Sequence, residues 1–405
     1  MNLTFNDIKN IHKKIRHNVK WTETTFTSSI SEKLGIDTFL KLENRQHTGA
    51  FKIRGSYSKL LSLSAVEKKA GVVAMSAGNH AQAVAYFANE FNVSSTIIMP
   101  EQAPFSKVSR TKELGANVIL KGRTLNETSD FVNNLAKEKN LKLIHPYDDY
   151  DVILGQGSIG IEIFEKIKEL DCIVVPIGGG GLISGISIVA KKINPKIKIF
   201  GVESDLYPSA YNKFKKKNLF CSGDTIADGI AVKTPGEKTF PIIREYIDDI
   251  ILVDDISIEN TISNLFEYER IISEGAGAAG VTAIIENLSL FKNKKVCSII
   301  CGGNIDSRIY AGILNKKLSR DGRLARIRIG ITDEPGMLSK ISNAIAKTGG
   351  NIIEIYHQRM FHDVPVKKAK IDAVIEAQNK KSIEEIIATL KSEGFEVRII
   401  NETFN

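Results

Sequence analysis

The sequence predicts an α/β protein with open parallel sheets and helices on both faces, followed by a smaller βαββαβ unit. The chain has 405 residues, 42% of them hydrophobic, and this length exceeds what one core usually serves. Apolar, β-rich runs alternate with helix-period segments from about residue 35 to about residue 315. Residues 315–323 are polar and turn-prone, so we place a boundary there. The prediction is a large domain at 1–320, with a smaller subdomain inserted at about 45–150, and a second domain at 325–405.

Short apolar runs bounded by turn residues give the strands of the large domain, and amphipathic segments give its helices. Strands are predicted at residues 71–75, 95–99, 117–120, 172–176, 197–203, 250–253 and 296–300. Helices are predicted at residues 81–91, 105–114, 158–170 and 257–273. Ligands of such sheets bind outside the carboxyl ends of the strands, so the residues that follow these strands are the first candidates for a site.

The C-terminal unit has a different order of elements. The pattern predicts a strand at 325–331, a helix at 336–348, strands at 351–360 and 366–377, a helix at 382–393 and a strand at 395–400.

Basic residues outnumber acidic ones by 55 to 47, which gives a net charge of +8. Such a balance can serve nucleic-acid binding, but the lysines are scattered, and the densest run, 213–217, holds a single aromatic residue. We therefore expect no nucleic-acid partner. The sequence has no stretch of about 18 apolar residues, and residues 1–7 lack a basic start that leads into an apolar run. No membrane span or targeting segment is predicted.

The cysteines share no C-x-x-C spacing and have no nearby histidine pair, so neither a zinc site nor a disulfide framework is indicated. They are Cys172, Cys221, Cys297 and Cys301. A reducing compartment fits this usage, and we expect a cytoplasmic protein.

Lys52 lies between an alternating segment, 38–43, and a probable helix. A lysine held there can be partly desolvated, which favours its neutral, nucleophilic form. Taken alone, it would more simply be a solvated lysine of a lysine-rich chain.

A run of four glycines follows the apolar segment 173–177 and precedes a probable helix. Successive N–H groups in such a run can converge on an anion at the helix N-terminus, which predicts a phosphate cup. The residues concerned are Gly178, Gly179, Gly180, Gly181 and Leu182. No Gly-Lys-Ser/Thr follows, so this is not a P-loop. A flexible glycine linker is the alternative.

Two further motifs follow predicted strands. Ser76-Ala77-Gly78-Asn79-His80 opens a helix, where N–H groups, the serine hydroxyl and the asparagine amide can bind a carboxylate. Its simpler interpretation is ordinary N-capping by the serine or the asparagine. Cys301 precedes Gly-Gly-Asn and would supply a weak, neutral hydrogen-bonding thiol, or would be a buried structural cysteine.

Residues 275–280 match G-x-G-x-x-G, yet the preceding segment, 261–273, has the pattern of a helix rather than a strand. We therefore reject a nucleotide-binding fingerprint there. Small residues at this spacing instead predict close helix packing, with Glu274 facing the site.

Taken together, the motifs resemble those of the fold-type II pyridoxal-phosphate enzymes, most closely the threonine dehydratases, with the serine dehydratases and serine racemases. The resemblance spans about residues 10–320. It rests on Lys-Leu-Glu-Asn before Phe-Lys-Ile-Arg-Gly, then Ser-Ala-Gly-Asn-His, Gly-Gly-Gly-Gly-Leu and Gly-Gly-Asn-Ile-Asp. It implies two open twisted sheets with flanking helices and pyridoxal 5'-phosphate as cofactor.

By this resemblance Lys52 anchors the cofactor aldehyde and removes the Cα proton of the substrate. The glycine run with Leu182 holds the phosphate, and Asn79 contacts the ring hydroxyl. Cys301 faces the pyridine nitrogen. Further cofactor contacts are implied at Phe51, Gly229 and Glu274. The substrate carboxylate would be bound by Ser76, Gly78, Asn79 and His80.

The implied reaction is loss of the β-hydroxyl, which converts L-threonine to 2-oxobutanoate, or L-serine to pyruvate, with release of ammonia. A serine racemase is the alternative enzyme. In the racemase relatives a serine stands where this chain has Ala77, whose methyl group cannot transfer protons. Related enzymes also carry a divalent cation, and Glu203 resembles one ligand, but Ser209 replaces an expected carboxylate. A divalent cation is left open.

The C-terminal unit resembles an ACT domain, which typically binds amino acids between paired copies. Its motifs are Asp333-Glu334-Pro335-Gly336-Met337-Leu338 and Gly349-Gly350-Asn351. We expect a homo-oligomer, a dimer or tetramer, with an amino-acid effector near Asp333, Gly336 and Asn351; isoleucine and valine are the candidates by family analogy. The alternatives are a plain dimerisation module and, for the whole chain, an amino-acid sensor with a vestigial catalytic domain.

Overall fold

The computed structural model describes residues 3–123, 125–358, 365 and 367–400. They divide into two compact units, one up to Ile305 and one from Asp306 onwards.

The first unit alternates strands and helices. Its strands are β1 (Thr24–Phe26), β2 (Asp37–Leu42), β3 (Val72–Met75), β4 (Ser95–Met99), β5 (Asn117–Leu120), β6 (Lys142–Leu143), β7 (Cys172–Pro176), β8 (Lys198–Ser204), β9 (Asp249–Val253) and β10 (Lys295–Ile300). Its helices are α1 (Phe5–Ile15), α2 (Ser28–Leu34), α3 (Lys52–Ser62), α4 (Ala65–Ala70), α5 (Asn79–Glu90), α6 (Phe105–Glu113), α7 (Leu125–Glu138), α8 (Tyr150–Lys166), α9 (Gly181–Ile193), α10 (Ser209–Lys215), α11 (Thr239–Tyr246), α12 (Asp255–Glu269), α13 (Gly275–Glu286) and α14 (Leu288–Phe291).

These strands form two sheets, in the orders β1-β2-β10-β7-β8-β9 and β5-β4-β3-β6. Every pairing in them is parallel except that of β1 with β2. The seven strands predicted for this unit are present, with ends that differ by one residue at most. Continuous apolar runs thus predict these strands well, because a parallel strand that is covered on both faces is apolar along its whole length.

Helix α8 differs from the prediction at both ends, since residues 158–170 were expected and Tyr150–Lys166 is observed. It begins earlier because the Asp149 side chain accepts hydrogen bonds from two backbone N–H groups of the first turn. The glycines of this segment disfavour a helix on local grounds, but because they lack side chains they allow α8 to pack closely against α3. A Cβ atom on Gly155 would lie 2.4 Å from the carbonyl oxygen of Arg54, in α3.

Helix α12 ends at Glu269, four residues before the predicted end, because Arg270 adopts the left-handed conformation at φ 57°. The glycine motif then starts α13, and its small residues allow the close helix packing that was expected. A Cβ atom on Gly277 would lie 2.6 Å from the carbonyl oxygen of Gly302, and one on Gly280 would lie 2.3 Å from the Ser298 hydroxyl. The small residues therefore allow α13 to pack directly against β10, and no strand leads into them.

The second unit contains helix α15, then the predicted βαββαβ order. The elements are α15 (Ser307–Arg320), β11 (Leu324–Thr332), α16 (Met337–Lys347), β12 (Asn351–Gln358), β13 (Lys368–Glu376), α17 (Lys380–Ser392) and β14 (Glu396–Ile399). The strands pair antiparallel in the order β12-β13-β11-β14.

The segment expected to be turn-prone, 315–323, is helical up to Arg320, so that expectation was wrong for its first six residues. The chain turns instead at Asp321 and Gly322, where the glycine has a φ of +68°. Residues 359, 360 and 366 of the predicted strands, and residues 401–405 of the predicted domain, lie outside the described residues.

Candidate active site

Lys52 is the first residue of α3, and its backbone is tied to the end of β10. The N–H of Phe51 donates to the carbonyl of Cys301 at 3.0 Å, and Ala50 forms an isolated bridge with Gly302. The Lys52 Nζ donates to the carbonyl oxygen of Pro146 at 2.8 Å. Burial lowers the pKa of this amine to about 8, against a weaker opposing influence of Cys301 and Glu274. At pH 7 about a tenth of the amine is therefore neutral, far more than for an ordinary lysine.

Phe51, Cys301 and Glu274 surround this amine. The Lys52 Nζ lies 5.1 Å from the centroid of the Phe51 ring. Burial raises the pKa of the Cys301 thiol well above its usual range, so this group stays neutral. Burial, together with the charge of Asp228, raises the pKa of Glu274 to about 7. The site therefore contains two acidic groups that its environment keeps from ionising readily.

The glycine run forms the turn from β7 into α9. Gly180 precedes the helix with a φ of +92°, and no side chain among the described residues caps that end. A Cβ atom on Gly179 would lie 2.2 Å from the Tyr147 ring, and one on Gly178 would lie 3.2 Å from the carbonyl oxygen of Gly229. The Thr239 hydroxyl donates to the carbonyl of Gly179 at 2.7 Å. The glycine run thus forms a cradle in which the backbone N–H groups at the start of α9 can bind an anion. Side chains at these positions would fill the cradle.

The segment from Ser76 to His80 joins β3 to α5. The Ser76 hydroxyl accepts from the N–H of Gly78 at 3.1 Å, and Gly78 itself precedes the helix without a side-chain cap. Ordinary capping by Ser76 or Asn79, the simpler alternative, is therefore not what the structure shows. The N–H groups at this end of α5 suit a carboxylate.

His80 is buried, and its Nε2 lies 2.8 Å from the carbonyl oxygen of Ile144. Burial, with the nearby Lys52 charge, lowers the pKa of His80 to about 3. The ring is therefore neutral, and the nitrogen that faces a carbonyl carries the proton. If His80 binds a carboxylate, its backbone N–H rather than its ring is the available donor.

Several residues of the site were not predicted from the sequence. Pro146 and Tyr147 lie in a loop, and nothing in the local pattern marks them. Asn304 does follow a predicted strand, and its Nδ2 donates to Asn79 Oδ1 at 2.7 Å. The signal that could have identified its role is its place in the Gly-Gly-Asn motif that follows Cys301.

Glu203 occupies a different part of the large sheet, near the end of β8. Its carboxylate accepts from the N–H groups of Ala210 and Tyr211 at 2.9 and 2.8 Å, and from the Ser209 hydroxyl at 3.3 Å. Burial raises the pKa of Glu203 to about 7. Within the described ranges, no cluster of three or more His, Cys, Asp or Glu side chains could hold a metal. The contacts of Glu203 are those of a residue that holds the start of α10.

The three predicted effector residues do not come together within one copy of the second unit. Asp333 follows the end of β11, and Gly336 precedes α16 with a φ of +88° and open space where a Cβ atom would lie. Asn351 begins β12 opposite Glu376, which also pairs with Leu324 at the other end of β11. At about 3.3 Å per residue, the two ends of β11 are roughly 26 Å apart.

The residues around Lys52 fit a phosphate-bearing aldehyde cofactor. The amine has a lowered pKa, as an aldehyde anchor requires, and the glycine cradle at α9 provides N–H donors for a phosphate. The neutral Cys301 thiol suits a ring nitrogen that is not to be strongly protonated.

Comparisons with known proteins agree with this geometry. The model of the family described as "Pyridoxal-phosphate dependent enzyme" matches residues 15–302, and the ACT domain model matches residues 325–395. The chain belongs to the pyridoxal-phosphate dependent enzymes and carries a C-terminal ACT domain. These matches confirm the predicted fold and the predicted cofactor.

Among individual proteins, an L-threonine ammonia-lyase of Thermotoga maritima is 41% identical over 400 residues, which are 98% of this chain and 100% of that protein. The structure of maize serine racemase superposes with a TM-score of 0.73 at 32% identity, covering 79% of this chain and 99% of that one. The processed form of threonine deaminase isoform 2 from Solanum lycopersicum also gives 0.73, at 31% identity, covering 79% and 90%. Of the helices described, none is both long and apolar enough to cross a membrane.

Proposed function

We propose that this chain is a pyridoxal-phosphate-dependent L-threonine ammonia-lyase that also accepts L-serine. The products are 2-oxobutanoate or pyruvate, with ammonia. The observation that carries the proposal is the Lys52 amine, which donates to the neutral carbonyl of Pro146 and whose pKa is lowered to about 8. The named relative of Thermotoga maritima, which matches over its whole length, supports the same activity. We assign catalysis to residues 1–320 and regulation to residues 325–405.

Within this proposal, Lys52 anchors the cofactor and then moves the proton at the substrate Cα atom. The cofactor, when bound, supplies the electron withdrawal that makes this proton removable. The lowered pKa of Lys52 matters here because a base works best when its pKa is near the working pH. Residues 178–182 would hold the cofactor phosphate, Gly229 lies next to Gly178 as a further cofactor contact, and the Phe51 ring lies beside the amine.

The remaining residues orient the ring and the substrate. The neutral Cys301 thiol would face the ring nitrogen and would leave it without a full charge, which would favour elimination over transamination. The start of α5, with Ser76, Gly78, Asn79 and the backbone N–H of His80, binds the substrate carboxylate. These positions fix which Cα substituent faces Lys52.

A serine racemase is the second candidate, because maize serine racemase shares the fold over nearly its whole length. Racemisation needs a second acid or base on the opposite face of the substrate. Ala77 supplies only a methyl group at the position where the racemase relatives carry a serine, so we favour the lyase.

The test is to purify the protein with pyridoxal phosphate, record the visible absorbance of the bound cofactor, and add L-threonine. We expect the absorbance to change while 2-oxobutanoate and ammonia accumulate together. A change without keto acid, with D-serine formed from L-serine, would favour the racemase. A protein that binds no cofactor would favour the amino-acid sensor and overturn the proposal.

Regulation by an amino acid is the second part of the proposal. Because Gly336 and Asn351 lie at opposite ends of the sheet, an effector that touches both must sit between two antiparallel copies, which implies a homo-oligomer. The second unit would then contribute Gly336 from one copy and Asn351 of the partner subunit. The expected location is cytoplasmic, as the cysteine usage predicts. The contacts of Glu203 lend no support to a divalent cation there.

The Asn351→Ala variant tests this arrangement. We expect a weaker response to isoleucine or valine, by about tenfold in effector concentration, with unregulated turnover unchanged, because Asn351 belongs to the second unit and Lys52 to the first. Asn343→Ala, at an exposed position of α16, is the matched control. An identical effector response in both variants and in the unmodified enzyme would contradict the placement.

A further inference from the structure

We propose that Asn304 and Glu274 are positioning residues that fix the side-chain amide of Asn79 in one orientation. They do so through a line of hydrogen bonds, here called the amide relay, which runs from the carbonyl of Thr48 through Asn304 and Asn79 to Glu274. The inference rests on the proposed function, because the relay acts on a cofactor contact. It goes further by assigning Asn304 to the site and by giving Glu274 a defined task.

The relay starts at a backbone carbonyl, whose role in a hydrogen bond is unambiguous. A backbone carbonyl can only accept a hydrogen bond, and the Thr48 carbonyl oxygen lies 2.7 Å from Asn304 Nδ2. The same Nδ2 lies 2.7 Å from Asn79 Oδ1. Both hydrogens of the Asn304 amide nitrogen are therefore used, one on each acceptor.

The orientation of Asn79 follows from that of Asn304. Because Asn79 Oδ1 accepts from Asn304, its Nδ2 must face Glu274, and the distance to Glu274 Oε1 is 2.8 Å. An isolated asparagine amide can present either its oxygen or its nitrogen to a ligand. Here the oxygen is engaged, so one N–H of Asn79 is the polar group left for the cofactor. The relay thus makes Asn79 a pure donor, which suits an ionised ring oxygen.

The backbone leaves room for the relay at both ends. Gly49 has a φ of +73°, and a Cβ atom on it would lie 2.6 Å from Asn304 Oδ1. A Cβ atom on Gly302 would lie 2.3 Å from Glu274 Oε1. A side chain at either glycine would push Asn304 or Glu274 out of place, so the relay depends on both glycines.

The relay also connects residues that are distant in sequence. Asn79 is 195 positions from Glu274 and 225 positions from Asn304. The relay therefore joins the start of α5, in the unit's smaller sheet region, to the residue before α13 and to the segment after β10. A change at Asn304 should reach the cofactor through Asn79 although Asn304 itself is not a catalytic residue.

The experiment compares Asn304→Ala with Asn304→Asp in the full-length protein. The first removes the donor to Asn79. The second puts an acceptor-only carboxylate against the Thr48 carbonyl and Asn79 Oδ1, and would turn the Asn79 amide round, so that its oxygen faces Glu274. We expect pyridoxal phosphate to bind roughly tenfold more weakly in Asn304→Ala and about a hundredfold more weakly in Asn304→Asp. The visible band of the bound cofactor should move in both.

Asn212→Ala is the matched control, since the Asn212 amide also engages two backbone groups, both on Leu219 and outside the relay. It should leave cofactor affinity and the band unchanged. The readouts are the dissociation constant of pyridoxal phosphate from titration of the apoprotein and the position of the band, which a loss of stability alone would not shift.

The outcomes separate the two proposals. If the unmodified protein binds no pyridoxal phosphate, the proposed function and the relay both fail. If it binds the cofactor but Asn304→Asp matches the unmodified protein, or differs from it no more than Asn212→Ala does, only the relay is wrong. Should Asn304→Asp not fold, Glu274→Gln and Glu274→Met test the other end. Glutamine keeps an acceptor and should preserve the band, whereas methionine should shift it; equal bands in these two would overturn the relay.

Discussion

Two basic residues near the start of α3 have pKa values that shift in opposite directions. Arg54 is fully buried, and its guanidinium donates to Glu43 at 2.8 Å from both Nε and Nη2 and to Glu162 at 2.5 Å from Nη1. Although burial opposes its charge, the two carboxylates raise the pKa of Arg54 above the ordinary value. For Lys52, two residues earlier, burial wins and the pKa falls to about 8.

The difference lies in the partners of the two side chains, since Lys52 is only half-buried and Arg54, although fully buried, keeps its charge. Lys41 joins the Arg54 cluster by donating to Glu162, so two cations face two carboxylates and the charges balance. Lys52 Nζ donates to the neutral carbonyl of Pro146. A buried charge is tolerated when it is paired, and an unpaired one shifts its pKa instead. The same helix therefore combines a structural cation with a chemically available amine.

Removing the amine should have the largest effect. Lys52→Ala is expected to lower the rate of 2-oxobutanoate formation from L-threonine by at least about 10³-fold, because it deletes both the anchor and the base. The rate is measured by keto-acid release from the purified variant. Lys69→Ala, at a surface position of α4, should keep the full rate. A Lys52→Ala variant with more than about a tenth of the normal rate would show that another residue does this chemistry.

Removing the structural cation should mainly affect stability. Arg54→Met leaves Glu43 and Glu162 buried with only Lys41 to compensate them, so we expect the free energy of unfolding to fall by about 3–5 kcal/mol. Denaturant unfolding measures this change. The matched control is Arg45→Met, which breaks an exposed pair with Glu23 and should cost at most about 1 kcal/mol. Equal losses of unfolding free energy in the two variants would mean that the buried cluster stabilises the protein no more than an exposed ion pair does.

The smallest expected effect is a shift in the pH at which Lys52 loses its proton. The folded apoprotein should lose the Lys52 proton with a midpoint near pH 8, whereas an unfolded lysine does so at about 10.4. Between these values the unfolded chain holds more protons at this residue, so stability should rise with pH there. Lys52→Met should lack this rise.

Two measurements check the titration. One is the pH dependence of Lys52 labelling by an amine reagent, followed by mass spectrometry of the peptide, and the other is the unfolding free energy of both proteins from about pH 7 to about pH 11. Labelling of the folded protein with the same midpoint as the denatured chain would contradict the predicted desolvation of Lys52.

Local sequence predicted those parts of the protein that depend on neighbouring residues. Continuous apolar runs predict the strands because both faces of a parallel sheet are covered, and the strand β7 matches its predicted limits. Asn79 and the glycine run were identified because each follows a predicted strand, and Lys52 because it precedes a probable helix. The helix α8 was harder to predict, since its glycines disfavour a helix locally while they permit packing against α3.

The order of the elements, the family motifs and the residue types that carry the chemistry could therefore be predicted from local patterns. Which of these residues come into contact depends on the packing of the folded chain. The sheet order places β2 and β7 on either side of β10, which brings the Lys52 segment beside Cys301. The Pro146 acceptor, the ion pairs of Arg54 and the link from Asn304 to Asn79 join positions up to 225 residues apart. No local pattern encodes such contacts, because they depend on the order and register in which distant strands pack.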